Sequence, residues 1–201
     1  MNNTDNSYAY PSKNSQLDEA CWDMKPATPA FIELINSKTF IQPGRILVTG
    51  SGICYDAIAA SKAGYDVTAN GLSQEEIFYS KQAAQQNNAK INFIVDDILL
   101  MSNSFNESFD AIYDYSSYST VNDILLEEYI RRISSLLRVG GKFITILFPV
   151  NDKGVESPVG ISLPEFYSIT KEYLQLEYSS RRIISIKSHE GKEAMQIYVK
   201  N

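Results

Sequence analysis

The stretch that most constrains this chain is residues 45–73, RILVTGSGICYDAIAASKAGYDVTANGLS. Arg45 to Thr49 is a short apolar run of strand composition, Gly50-Ser51-Gly52 is a tight turn, and Tyr55 to Ala63 carries small and apolar residues at helical spacing. A second strand, Tyr65 to Asn70, follows Gly64, so the unit reads as βαβ. The first turn of such a unit points backbone N–H groups at a ligand from a helix N-terminus. Gly50 supplies a positive φ there, and Gly52 lets the ligand approach the backbone. Two glycines alone would mark only a turn; their place between strand one and helix one is where α/β sheets bind ligands.

The rest of the composition narrows what the ligand is. A chain of 201 residues with 44% hydrophobic content builds one core without staples. Its apolar runs are far shorter than a membrane span, and its first residues, MNNTDNSYAYPSKNSQ, lack the basic and apolar regions of a leader; a cytoplasmic protein with no membrane partner is expected. Cys21, Cys54 and the single His189 form neither a disulfide framework nor a metal-ligand pattern, so no metal is expected. A net charge of −6 argues against nucleic acid, whose phosphates need a basic face, and in favour of a small ligand.

Residues 1–20 are polar and aperiodic and read as a mobile tail or lid, leaving 21–201 as the folded domain. Thr28 and Pro29 open a helix with an apolar face of Phe31, Ile32, Leu34 and Ile35. Ser73 with Glu76 is a capping box for a helix running to about Asn87, before a third strand, Ile91 to Val95. Strand four, Phe109 to Tyr113, leads into the hydroxyl-rich stretch Asp114 to Thr120. Asn122 or Asp123 caps a helix that Gly140-Gly141 ends, ahead of a long strand from Lys142 to Phe148. After a short helix near Pro164, Leu174 to Ile186 and Ala194 to Val199 read as an antiparallel hairpin. The order is that of an α/β, Rossmann-like, mostly parallel seven-stranded sheet closed by a C-terminal antiparallel hairpin.

A glycine turn after strand one, Asp97 after strand three, an Asp-aromatic loop after strand four and a terminal hairpin resemble class I S-adenosylmethionine (SAM) methyltransferases. Five pieces narrow the resemblance to the thiopurine and thiol/halide methyltransferase family. Trp22-Asp23 with Pro26-Ala27-Thr28-Pro29 is similar to its W-D-x-G-x-x-T-P, and Leu47 to Asp56 to its L-V-P-G-C-G-x-G-Y-D. Phe109 to Tyr115 is similar to F-D-L-I-x-D-Y, Ile144 to Pro149 to L-I-T-L-M-F-P, and Gly191-Lys192-Glu193 to R-G-K-E. The resemblance implies SAM as cofactor and a small methyl acceptor. It implies Trp22 against the cofactor, Gly50, Ser51 and Gly52 under its methionine part, Asp97 and Ile98 at the adenine, and Asp114 near the sulfonium. Asn70, Gly71 and Leu72 fall at the ribose, and Asp114, Tyr115 and Tyr118 at the reacting methyl, with Asp114 the candidate base.

The chain departs from the pattern at two places. Cys54 stands for a third glycine, and Gly71 stands where the family has an acid that holds both ribose hydroxyls. Asn70 compensates only if the Asn-Gly pair turns it inward, because neighbouring strand residues face opposite ways. On this reading Gly71→Asp tightens SAM binding. Tyr115, Ser116, Ser117 and Tyr118 are expected to line a polar acceptor pocket, whereas Cys54 and His189 are read as a turn residue and a hairpin residue without catalytic roles. The leading expectation is a SAM-dependent methyltransferase acting on a thiol, halide or other small polar nucleophile. The alternative is a degenerate relative that binds or regulates, with Gly71 as its support. A nicotinamide dehydrogenase ranks third, disfavoured by Tyr55 in place of a further glycine and by the missing acid after strand two.

Overall fold

The computed structural model describes residues 27–50, 54–71, 73–117, 125–150 and 161–201. Seven strands lie in one sheet, in the order β3-β2-β1-β4-β5-β7-β6. β1 (Arg45–Thr49), β2 (Asp66–Gly71), β3 (Ile91–Val95), β4 (Phe109–Tyr115) and β5 (Leu137–Leu147) are parallel. β7 (Ala194–Val199) runs antiparallel to both β5 and β6 (Gln175–Ser180). The expected α/β sheet with its terminal hairpin is therefore the observed one.

Pleating sorts each strand onto two faces. Ile46, Val48, Val67, Ala69, Ala111, Tyr113, Ile144 and Ile146 pack on α1 (Pro29–Ser37), α2 (Tyr55–Lys62) and the end of α3 (Gln74–Gln86). Leu47, Ile112, Phe143 and Tyr198 pack on α4 (Leu126–Leu136) and α5 (Leu163–Thr170). Pro29 stands in the first turn of α1 behind Thr28, and the Ser73 hydroxyl accepts from the Glu76 N–H to cap α3, as their sequences require.

Several boundaries move: β4 runs on to Tyr115, β6 stops at Ser180 rather than continuing to Ile186, and the expected caps Asn122 and Asp123 lie outside the described residues. β2 continues straight through Gly71, so the Asn70-Gly71 pair is extended strand rather than a turn. β5 begins at Leu137 and not at Lys142, because Leu137, fully buried, pairs with Phe109 before the strand shifts register at Gly140, whose φ is +77°. Among the described residues no helix is long and apolar enough to cross a membrane.

Candidate functional site

The strand order reverses between β1 and β4, and the carboxyl ends of these strands carry one continuous polar row. Asn70, Thr49, Asp114, Thr145 and Gln196 are direct register neighbours across five strands. They project on the α4 side, and all are buried at 5% exposure or less. Below them, Leu47, Ile112 and Phe143 on the three central strands are apolar and fully buried. A sheet places polar side chains in such a row at cost unless each finds a partner.

Asp114 is the hub. The Thr49 hydroxyl donates to its Oδ1 at 2.9 Å, the Ser117 N–H donates to the same oxygen at 3.2 Å, and the Thr145 hydroxyl lies 3.4 Å from Oδ2. Burial pushes the Asp114 carboxyl up to about 6, against the opposing pull of these donors. The carboxylate is fully enclosed, so it ties the loop after β4 to the end of β1. Gly50, at the end of β1, has φ +55°, and a Cβ there would stand 2.7 Å from the Ser117 Cβ. Both the backbone and the neighbour exclude a side chain at this position.

Beyond the glycine turn, Cys54 caps α2 with φ +57°, the left-handed region. This explains why the family pattern has glycine there: the demand comes from the backbone and not only from packing. The thiol is fully buried, donates to the Ser80 carbonyl at 3.4 Å, and is pushed by that burial up to about 11, which fits an inert turn residue.

At the end of β2, the Asn70 Nδ2 donates to the Asp96 carbonyl at 3.3 Å. Its Oδ1 is buried with no donor among the described residues, an acceptor that a bound hydroxyl or amine would satisfy. Opposite it, a Cβ at Gly71 would stand 3.0 Å from both the Glu76 Oε2 and the Ile77 Cδ1. An aspartate at Gly71 therefore requires the Glu76 and Ile77 side chains to give way by a few tenths of an ångström. After β3, the Asp97 Oδ1 accepts from the Leu99 N–H at 2.9 Å, and Ile98 is buried at 7% exposure in the cluster under α4. Arg132 of α4 holds this loop by donating to the Met101 carbonyl and, at 2.7 Å, to the Asn106 Oδ1.

On the β5 side the structure assembles a cluster that the sequence reading did not name. The Tyr115 hydroxyl lies 2.6 Å from the His189 Nδ1 and donates to the Glu193 Oε1, while His189 stacks on Phe148 with ring centroids 3.8 Å apart. His189 thus has partners after all, which corrects its reading as an isolated hairpin residue. Glu193 is 2% exposed, and its Oε2 is buried with no donor among the described residues. The only hint in the sequence was Glu193 as the last residue of the Gly191-Lys192-Glu193 match.

Ser116 and Ser117 are braces. Ser116, at φ +54°, donates its hydroxyl towards the Ile146 and Phe148 carbonyls at 3.0 and 3.1 Å, and the Ser117 Oγ lies 3.3 Å from the Thr49 Oγ1. Their hydroxyls tie the loop after β4 to the ends of β5 and β1. Trp22, Ser51, Gly52, Leu72 and Tyr118 lie outside the described residues, as do residues 1–20.

The family model for thiopurine S-methyltransferase matches residues 13–179. A probable thiol methyltransferase 2 of Arabidopsis thaliana is 26% identical, over 83% of this chain and 73% of its own length. Thiocyanate methyltransferase 1 of the same plant is 24% identical, over 74% of this chain and 65% of its own. Among solved structures, 1,6-didemethyltoxoflavin-N1-methyltransferase of Burkholderia thailandensis, with its substrate and S-adenosylhomocysteine bound, superposes with a TM-score of 0.69 at 20% identity, covering 92% of this chain and 80% of that one.

Proposed function

The chain belongs to the thiopurine S-methyltransferase family and is a SAM-dependent methyltransferase of small molecules, and we propose that its acceptor bears a polar group that docks at Tyr115. The observation that carries this is the Tyr115 hydroxyl, bonded at once to His189 and to the buried Glu193. When bound, SAM supplies a methyl group on a cationic sulfur, open to in-line attack.

The protein's own residues then have two tasks, to hold the partners and to receive a proton. The methionine part is assigned to Gly50, Ser51 and Gly52, the ribose to Asn70, Gly71 and Leu72, the adenine to Asp97 and Ile98, and a further cofactor contact to Trp22. The Asn70 Oδ1, without a donor among the described residues, supports a hydrogen-bonding ligand at the end of β2. Asp114 is a positioning residue, because its carboxylate is enclosed by Thr49, Ser117 and Thr145 and fixes the loop that carries Tyr115. An anionic acceptor such as a thiolate needs no base, whereas a protonated thiol, hydroxyl or amine must lose a proton as the new bond forms. Tyr115 orients such an acceptor, and His189 and Glu193 behind it accept the proton through the phenol, with Tyr118 as a second orienter.

A small acceptor rather than nucleic acid agrees with the net charge of −6, and two cysteines, of which Cys54 is buried, agree with a reducing cytoplasm. The test is labelled-methyl transfer to a panel of thiols, thiocyanate, halide and hydroxylated acceptors. Tyr115→Phe is expected to lower kcat for protonated acceptors at least about a hundredfold, the lower end of the usual range for proton-transfer help, while anionic acceptors and S-adenosylhomocysteine affinity change little. Unchanged rates for every acceptor would move the acceptor pocket away from Tyr115.

A further inference from the structure

We propose that two copies of this chain pair edge to edge through β3, antiparallel and in a register centred on Phe93, so that one sheet runs through both. β3 ends the sheet on one side, with β2 as its neighbour among the described strands. A sheet edge presents a row of outward N–H and C=O groups that another strand can pair with, and proteins blunt it with charge, proline or a bulge. The opposite edge is blunted in this way: β6 shifts register between Leu176 and Tyr178 and carries Glu177, which is paired with Lys142. β3 reads Ile-Asn-Phe-Ile-Val and has neither charge, proline nor bulge. Val95 is 37% exposed on it, and Phe78 and Tyr79 are exposed on α3, the helix that packs on this strand.

The inner side of β3 decides which residues face outward. The Asp96 N–H donates to the Gly71 carbonyl at 3.1 Å and the Lys90 N–H to the Ser61 Oγ at 3.0 Å, so the even-numbered residues turn their backbone groups inward. Backbone groups alternate along a strand, which leaves those of Ile91, Phe93 and Val95 pointing out. A two-fold axis beside Phe93 sets Phe93 opposite its own copy and Ile91 opposite Val95 of the other copy, and each outward N–H then meets a C=O. The same register sets Lys90 opposite Asp96 of the other copy, twice, at positions between hydrogen-bonded pairs where facing side chains come closest. Lys90 is exposed and Asp96 half-buried, and neither side chain forms an ion pair with another described residue. Each chain carries a net charge of −6, so opposite charges at the contact decide where two copies meet. A slip to the next register that keeps the hydrogen bonds would put Lys90 opposite Ile94 or Ile98 and lose both charge pairs.

Sedimentation velocity on the full chain over a dilution series tests this, with circular dichroism and thermal melting as checks on folding. The wild type is expected to form a reversible dimer, and a monomer at every concentration would overturn the proposal. Val95→Pro removes an outward N–H and no bond to β2, so it is expected to abolish the dimer and keep the fold. Lys90→Asp and Asp96→Lys are each expected to weaken self-association about tenfold or more, because two pairs of opposite charge become pairs of like charge. Mixed with one another, these two variants are expected to associate about as strongly as the wild type, since every facing pair is again of opposite sign. The double variant Lys90→Asp with Asp96→Lys is expected to recover self-association for the same reason. A folded Val95→Pro that still dimerises, a single charge variant that self-associates like the wild type, or a mixture no tighter than its parts would each overturn the proposal. Should Val95→Pro fail to fold, the charge exchange decides alone.

Discussion

Thr28 and Asp56 are joined twice: the Thr28 N–H reaches the Asp56 Oδ1 at 2.6 Å and the Thr28 hydroxyl reaches Oδ2 at 2.9 Å, across 28 residues of chain. Each residue belongs to a different motif piece, the Thr-Pro before α1 and the Tyr-Asp at the start of α2. Their meeting explains why both pieces occur together. Thr28 is the N-cap of α1 yet caps it without its side chain, because the hydroxyl is committed to Asp56. Asp56→Ala would leave a buried N–H and a buried hydroxyl without acceptors. The expected loss is on the order of 3 kcal/mol, against about 1 kcal/mol for Thr28→Val, read from urea unfolding midpoints at constant slope.

Asp114 gives the protein a pH signature. Its folded-state value of about 6 lies above the ordinary 3.8, so between those values the native state holds a proton that the unfolded chain does not. The stabilisation is complete below about pH 4 and is lost as pH rises through 6. About two pKa units correspond to roughly 3 kcal/mol. Burial raises Asp56 in the same direction, so the informative quantity is the difference between wild type and Asp114→Asn. That difference should vary between pH 4 and 6 and be flat above 7; a constant offset across the range would show that Asp114 does not titrate there.

The elements and their order were legible because each is written in local spacing: alternating apolar runs, a Ser-x-x-Glu cap, a proline in a first turn. What stayed hidden was contact between distant residues. Tyr115 and His189 are 74 positions apart, and only the pairing of β4, β5 and β7 brings them within 2.6 Å. The resemblance put Asp97 at the adenine, and its Oδ1 accepts from the Leu99 N–H within its own loop.

Gly50 combines two demands, a φ of +55° and the Ser117 Cβ 2.7 Å from any added Cβ. Gly50→Ala should therefore cost about 1–2 kcal/mol of stability from the backbone alone and weaken S-adenosylhomocysteine binding by more than about tenfold, because the turn must shift. Adding Ser117→Gly removes the contact but not the strained φ, so it should recover part of the loss. Full recovery in the double variant would mean that the backbone conformation is not limiting.

Cys54 supports a prediction that reverses the usual ranking of glycine and alanine. In a helix or strand, glycine is the less stable of the two because it loses more backbone freedom on folding. At φ +57°, however, any β-carbon is strained by about 1–2 kcal/mol, and the cysteine bears this in exchange for a fully buried sulfur with a hydrogen bond to Ser80. Cys54→Ala gives up the sulfur and keeps the strain. Cys54→Gly gives up the sulfur and is released from it. Cys54→Gly is thus expected to be the more stable variant by about 1 kcal/mol, close to the wild type, while Cys54→Ala falls below both. The same burial, which pushes the thiol up to about 11, should keep Cys54 unreactive towards Ellman's reagent at pH 8 until the protein is unfolded, measured in a Cys21→Ser background. Alanine equal to or above glycine in urea unfolding would show that the left-handed conformation relaxes when the sulfur is removed.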